Sequence, residues 1–169
     1  KPGDVINFHS ICEGRVLERL DEKKWTLRFS SDIPFDDFLD QYGAAPLPPY
    51  IKRKGNSDTI PADRERYQTI YARIPGSVAA PTAGFHFSPE ILHILKIKGI
   101  PIVSVTLHVG YGTFVPIETD CIEDHRMEEE YFEIGPDAAK SINDAKRVIA
   151  VGTTSTRALE SAADEDGTV

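Results

Sequence analysis

The chain has 169 residues, 40% hydrophobic and 27% charged, a globular composition with room for one ordinary domain or for pieces of two. Its formal net charge of −8 excludes a general polyanion binder, so any nucleic-acid contact must come from a local basic patch. Its two cysteines, Cys12 and Cys121, form no Cys-x-x-Cys pair, which fits a reducing, cytoplasmic compartment and gives no zinc signature. The longest apolar-rich strip, residues 100–109, is too short and too polar to cross a bilayer, and no signal peptide is visible. The chain opens on Lys1 and closes on Val169 just after a predicted helix, so it is expected to be a piece of a longer protein.

Up to Ser31 the pattern is β. Trp25, Leu27 and Phe29 alternate with Thr26 and Arg28, as in a half-buried strand, and residues 21–24 are a polar turn. Residues 34–42 read as a short helix ended by Gly43. Pro46, Pro48 and Pro49 then make an extended connector and the expected domain boundary, with domains over 1–45 and 46–169. After Tyr67 helices and strands alternate. Ser88 is a predicted N-cap followed by Pro89 and Glu90, with Ile91, Leu92 and Leu95 as the buried stripe and Gly99 as the stop. Residues 100–109 are a predicted strand and 136–146 a helix with Ala138, Ala139, Ile142 and Ala145 inward. A short buried strand is expected over 148–151, then a helix near 156–163. This order argues for an α/β fold with a parallel sheet or barrel.

Residues 76–88 read Gly-Ser-Val-Ala-Ala-Pro-Thr-Ala-Gly-Phe-His-Phe-Ser. Small side chains bury little apolar area but let another group approach the backbone closely, so the stretch is expected to line a site. In the strand over 100–109, Val103, Val105, Leu107 and Val109 form one face and Ser104, Thr106 and His108 the other. A polar row on a strand suits a wet barrel interior or cleft; a set of mutually hydrogen-bonded core residues is the competing reading. The turn Gly110-Tyr-Gly-Thr-Phe114 follows at the strand's carboxyl end, where α/β folds bind ligands.

Gly152-Thr-Thr-Ser-Thr-Arg157 follows a strand and opens a helix, gathering hydroxyls and free N–H groups at a positive helix end. It suits a carboxylate or phosphate but lacks the Gly-Lys-Ser/Thr ending of a Walker A loop; ordinary capping by Ser155 is the alternative. Arg157 in the first turn would oppose the helix dipole, which favours a functional role. His125 and Glu129 would share a face if their segment were helical, yet no metal is expected there because the spacing is not that of a ligand set. A solvated acidic face is the expectation for at least two of Glu128, Glu129 and Glu130. Lys52-Arg53-Lys54 with Arg64, Arg66 and Arg73, interleaved with Tyr50, Tyr67 and Tyr71, combines base and aromatic as in single-strand RNA sites; a charged loop beside a proline connector is equally open. His9 and His93 are assigned no role.

Five strings carry a resemblance: Pro46-Leu-Pro-Pro-Tyr-Ile-Lys-Arg53, Asp63-Arg-Glu-Arg-Tyr-Gln-Thr-Ile-Tyr-Ala72, residues 76–88, Thr106-Leu-His-Val-Gly-Tyr-Gly-Thr-Phe114 and Val151-Gly-Thr-Thr-Ser-Thr-Arg-Ala-Leu-Glu-Ser161. Together they resemble the S-adenosylmethionine:tRNA ribosyltransferase-isomerases of queuosine biosynthesis; the first 45 residues match loosely. The resemblance implies a large α/β barrel carrying a smaller inserted β-barrel domain, of which this chain holds the end of the insertion and the central part of the barrel. It implies transfer and isomerisation of the ribosyl part of S-adenosylmethionine onto 7-aminomethyl-7-deazaguanine in the tRNA anticodon loop. The product is epoxyqueuosine, with adenine and methionine released. No cofactor is implied beyond S-adenosylmethionine as co-substrate, no membrane, and a monomer is the expected state.

On that resemblance His86 and His108 are the candidate catalytic residues, one for proton transfer and one for orientation. Thr82, Phe85, Phe87, Thr106, Gly110, Gly112, Thr113, Thr153, Thr154, Ser155 and Arg157 are candidates for substrate binding, and Lys52, Arg53, Arg64 and Arg66 for RNA. Where the family reads His-x-Met-His-x-Glu this chain has His125-Arg-Met127-Glu128-Glu-Glu130, a carboxylate whose unperturbed pKa is lower than histidine's by about two units. Phe85 and Ser88 replace the more usual leucine and threonine. A diverged or non-catalytic tRNA-binding relative, an inactive fragment, and an unrelated α/β enzyme acting on a phosphorylated metabolite are the competing readings.

Overall fold

The structure is a computed structural model that describes residues 1–22, 24–48, 50–52, 60–117, 119–125 and 127–169, without the side chains of Ile60 and Pro61. It comprises two compact units, Lys1–Ala44 and Ala45–Val169.

In the first unit three strands, β1 (Val5–Phe8), β2 (Cys12–Arg19) and β3 (Trp25–Ser31), form an antiparallel sheet in the order β1-β2-β3. β1 and β2 pair from Val5 opposite Arg15 to Phe8 opposite Cys12, and His9 and Ser10 turn the chain with φ of 52° and 57°. The predicted turn over 21–24 joins β2 to β3: the Leu20 amide donates to the Lys24 carbonyl and the Lys24 amide to Asp21 Oδ1. Helix α1 (Phe35–Tyr42) ends where Gly43 donates back to the Leu39 carbonyl. The unit's core is Cys12, Val16 and Phe38, the last 6% exposed. Phe38 meets Phe8, Phe35 and Tyr42 with ring centroids 6.3, 6.1 and 5.4 Å away. Gly14 makes room for this cluster, since a Cβ there would lie 3.0 Å from the Phe8 ring and 3.3 Å from Phe29. His9 stacks on Tyr42 at 4.7 Å, a structural place that agrees with its having no assigned role.

The second unit contains α2 (Ile60–Arg66), α3 (Pro89–Ile97), β4 (Thr106–Leu107), β5 (Phe132–Glu133), α4 (Pro136–Asn143) and α5 (Thr153–Ala162), with 3₁₀ turns at Thr82–His86, Tyr111–Phe114 and Ile122–Asp124. α3 begins as its sequence demands: Pro89 occupies the first turn and the Ser88 hydroxyl accepts the Ile91 amide. The strand expected over 100–109 is reduced to Thr106–Leu107. It pairs antiparallel with β5, Thr106 opposite Glu133 and Leu107 opposite Phe132, and not parallel to another strand. No strand forms over 148–151, where Ile149 is 71% exposed. The physical reason is common to both. A buried strand needs a neighbour for its N–H and C=O groups, and the described residues supply a pairing strand only at 106–107, with isolated bonds at 108 and 109. The α3 stripe is likewise uncovered, with Leu92 and Leu95 half-buried, Ile91 exposed and Ile97 72% exposed. In α4, Ala138, Ala139 and Ile142 are half-buried, whereas Ala145 lies beyond the helix end and is exposed. α2 has no counterpart in the sequence reading, because Pro61 and four charged residues hide its period.

Truncating Phe38 to alanine removes the ring on which the first unit closes and is expected to cost ~3 kcal/mol, read as a fall in the denaturation midpoint. Ser88→Ala removes only a cap bond and is expected to cost about 1 kcal/mol or less.

Candidate functional site

The second unit is organised by a seam between residues 76–78 and 107–109. The Ser77 hydroxyl donates to the Leu107 carbonyl (3.1 Å) and accepts the Val109 amide (3.0 Å), and the Val78 amide donates to the Val109 carbonyl (2.9 Å). The His108 amide donates in turn to the Tyr131 carbonyl at 2.8 Å. The two halves of the sequence that looked most like a site are therefore in direct contact. Gly76 has a φ of +142°, and a Cβ on it would lie 2.5 Å from Nδ1 and Cε1 of His108, so the imidazole occupies the space a side chain would take. The same ring stacks on Tyr131 at 5.5 Å. Its Nδ1 is buried and has no hydrogen-bond partner among the described residues.

Beside this seam lies an open cleft of about 510 Å³. One wall is residues 79–83, another Val109, Thr113 and Phe114, and a third Gly152, Thr153 and Thr154 at the start of α5, with Tyr50 and Tyr67 adding aromatic surface. The helix start carries the uncapped N–H groups that the sequence suggested there, without the alternative capping by Ser155. Its N-cap is Gly152, at φ +87°, and no side chain caps it. Ser155 is therefore not the cap. A Cβ on Gly152 would lie 3.2 Å from that of Ala83, so two walls meet where both side chains are smallest. What these walls offer is a row of hydroxyls, a positive helix end and three aromatic rings, a combination suited to a flat base and a small anion.

Outside the cleft lining the Glu130 side chain is only 7% exposed, and with Arg157 it borders a second pocket of about 310 Å³. Oε1 accepts the Gly110 amide at 2.7 Å and Oε2 the Arg157 Nη1 at 2.5 Å, while Arg157 Nη2 donates to the Glu128 carbonyl at 2.9 Å. This overturns two expectations. Glu130 is not on a solvated face, and of the three glutamates only Glu129 is exposed. Arg157 is not in the first turn of a helix, because α5 starts at Thr153 and places it one turn further along, with its charge matched. Residues 127–131 are not helical, so His125 and Glu129 share no helix face.

A sequence-family model described as queuosine biosynthesis protein matches residues 1–168. The chain belongs to the queuosine biosynthesis protein family. It is 60% identical over 167 residues to the S-adenosylmethionine:tRNA ribosyltransferase-isomerase of Syntrophus aciditrophicus (strain SB), covering 99% of this chain and 46% of that protein. Proteins of the same name from Desulforamulus reducens (strain ATCC BAA-1160 / DSM 100696 / MI-1) and Geotalea uraniireducens (strain Rf4) are each 47% identical, with 100% of this chain and 49% of theirs covered. The chain thus spans about half the length of the curated relatives it matches.

Within this member of the queuosine biosynthesis family, Thr82, Thr113, Thr153 and Thr154 line the cleft together. Gly110 holds Glu130, and Gly112 lets Glu128 approach, its Cγ lying 3.3 Å from where a Cβ would be. Thr106 is paired in the sheet and Ser155 is half-buried in α5. His86 and Phe85 are exposed at the end of the 3₁₀ turn; Phe85 meets Tyr67 edge-on at 5.6 Å, and Phe87 meets Tyr71 edge-on at 6.4 Å. Neither His86 nor His108 is among the residues lining the cleft, whereas Val109 is. Lys52, Arg64 and Arg66 are exposed, and Arg53 lies outside the described residues. Glu130 is the residue that sequence reasoning missed. Its partners lie 20 and 27 positions away, and nothing local distinguishes it from its two glutamate neighbours.

Gly84 is buried against the hydroxyl of Tyr71 and the methyl of Thr69. Burial pushes the Tyr71 phenol above its ordinary value, and burial together with nearby Tyr50 does the same to Tyr67. A raised phenol pKa means the folded state holds its proton longer than the unfolded one. That contribution is intact below about pH 10 and is lost as pH rises through the folded values. The unfolding free energy is therefore expected to fall above about pH 10, and Tyr67→Phe with Tyr71→Phe to flatten the fall, in denaturation curves taken across that range. Gly76→Ala must adopt a disfavoured φ and displace His108, at an expected cost of ~2 kcal/mol or more in the same assay.

Proposed function

We propose that this chain is part of an S-adenosylmethionine-dependent tRNA ribosyltransferase-isomerase. It transfers and isomerises the ribosyl moiety onto 7-aminomethyl-7-deazaguanine in the tRNA anticodon loop, forming epoxyqueuosine with release of adenine and methionine in the cytoplasm. The observation that carries the reading is the cleft. Three sequence segments separated by 30 residues or more, 79–83, 113–114 and 152–154, converge on it in a chain of the queuosine biosynthesis family. In the complete, monomeric protein we assign residues 46–169 to the middle of a large α/β barrel and residues 1–45 to the end of an inserted β-barrel domain. The exposed apolar residues Ile97, Ile102 and Ile149 are the surface such a barrel would cover.

The chemistry maps onto the cleft in parts. A sulfonium acidifies the adjacent 5′ carbon, so a base must remove a proton there, and a donor near the adenine ring assists its departure. Histidine suits both tasks near neutral pH. For His108 the support is its buried Nδ1, which has no hydrogen-bond partner among the described residues, so its desolvation goes uncompensated there. For His86 it is exposure at the end of the 3₁₀ turn that begins at cleft residue Thr82. The α5 start with Thr153, Thr154 and Ser155 would receive the methionyl carboxylate. The rings of Phe85, Phe87 and Phe114 are candidates to stack on a base. Lys52, Arg53, Arg64 and Arg66 would meet the tRNA backbone.

The test is to incubate the full-length protein with S-adenosylmethionine and tRNA carrying the deazaguanine precursor and to follow adenine. Adenine release is expected; its absence where a related enzyme works rejects the reading and favours a non-catalytic tRNA-binding relative. Alanine at His86 or His108 is expected to cut single-turnover rates ~10²-fold if that residue transfers a proton. Near-normal rates in both variants remove both assignments.

A further inference from the structure

The Glu130 carboxylate joins three segments that are distant in sequence. One oxygen holds the amide of Gly110, three residues before Thr113 in the cleft wall; the other holds Arg157, one helical turn after Thr153 in the opposite wall. Arg157 also grips the Glu128 carbonyl, so its guanidinium is used on two fronts by the protein itself. A buried carboxylate demands such partners, because an unpaired charge in a protein interior is strongly disfavoured. The two bonds to it are charge-assisted and short, hence directional. Two of the three cleft walls, the turn at 110–114 and the start of α5, are therefore tied to the same two oxygens; neither Glu130 nor Arg157 lines that cleft, and both face a separate pocket of about 310 Å³.

We propose that Glu130 and Arg157 are a positioning pair: a clamp that fixes the spacing between the turn at 110–114 and the start of α5, and so the distance between the two sets of hydroxyls that hold substrate. The proposal deepens the ribosyl-transfer reading and rests on it for the identity of the substrate. It takes Arg157 out of the group that touches substrate, where the sequence placed it. A lysine at 157 keeps the charge but cannot serve two acceptors in the fixed geometry of a guanidinium. A glutamine at 130 keeps one acceptor oxygen, turns the other into an NH2 donor that cannot serve the second partner, and removes the charge.

The test uses the full-length protein with Arg157→Lys, Glu130→Gln and the double variant, read in three ways. Backbone amide exchange over 110–114 and 153–156 is expected to quicken ~10-fold or more in each single variant, with the double no faster than the faster single. Turnover is expected to fall ~10- to 100-fold, the scale of a misplacement of about 1 Å, while the dissociation constant for S-adenosylmethionine stays within about threefold. In the unsubstituted protein the Gly110 amide is expected to exchange more slowly than the rest of its turn. That readout survives even if a variant fails to fold. Unchanged exchange in both variants, or a Gly110 amide as fast as its exposed neighbours, overturns the clamp. A ~10-fold weaker S-adenosylmethionine affinity in Arg157→Lys alone, with Glu130→Gln unaffected, makes Arg157 a substrate contact and also overturns it. Quickened exchange in a protein that releases no adenine keeps the clamp and rejects the reaction.

Discussion

The seam between residues 76–78 and 107–109 is the constraint on which the second unit depends. β4 is two residues long and cannot stand alone. It persists because the Ser77 hydroxyl serves as both donor and acceptor to its backbone on one side and the chain near Tyr131 pairs with it on the other. A side-chain oxygen thus does what a third strand would do, and it does so beside the one position, Gly76, where a Cβ would collide with His108. Gly76 and Ser77 in succession meet two demands, a flat surface for a ring and a short reach to the backbone. Once 109 is fixed by this seam, the turn at 110–114 is carried to the cleft.

The small residues of 76–84 prove to have two employments. Gly76 and Gly84 are small because protein groups press on them, the His108 ring in one case and Tyr71 with Thr69 in the other. Ala79, Ala80 and Ala83 are small and face the cleft. For the glycines the approaching group is a protein side chain; Ala79, Ala80 and Ala83 border the cleft, and Ala83 also meets Gly152 of the facing segment. Composition alone cannot separate these, since a small side chain permits contact without saying with what.

What was legible in the sequence follows the same division between local and distant causes. The end of α1 at Gly43, the Ser88 cap with Pro89 and the turn at 21–24 were readable because each is set within four residues. The strand over 100–109 was overread: its alternation is real, but hydrogen-bond partners decide whether alternation becomes a strand, and those lie elsewhere in sequence. The same limit hid the role of Glu130, one of three consecutive glutamates that differ only in what lies opposite them after folding. The convergence of 79–83, 113–114 and 152–154 could be guessed from motif chemistry, yet which hydroxyls share a wall needed coordinates.

An ion pair with a buried carboxylate and a half-buried guanidinium is a poor device for stability as such. Desolvating a carboxylate and part of a guanidinium offsets much of what their attraction returns, and an apolar pair of similar size would commonly hold a core as well. What an apolar pair lacks is direction. Two carboxylate oxygens with one amide and one guanidinium on them permit a single arrangement within a few tenths of an ångström, whereas methyl groups slide. A chain whose second unit buries few residues, Pro48, Thr69, Gly84, Val109 and Ala158 among those described, has little packing with which to define a cleft. In that setting directional bonds outside the cleft lining are the economical way to fix two walls. The fixed parts then lie at two segments that line the cleft with hydroxyls, while among the described residues no such bond is found on the apolar faces of α3 and of residues 100–103.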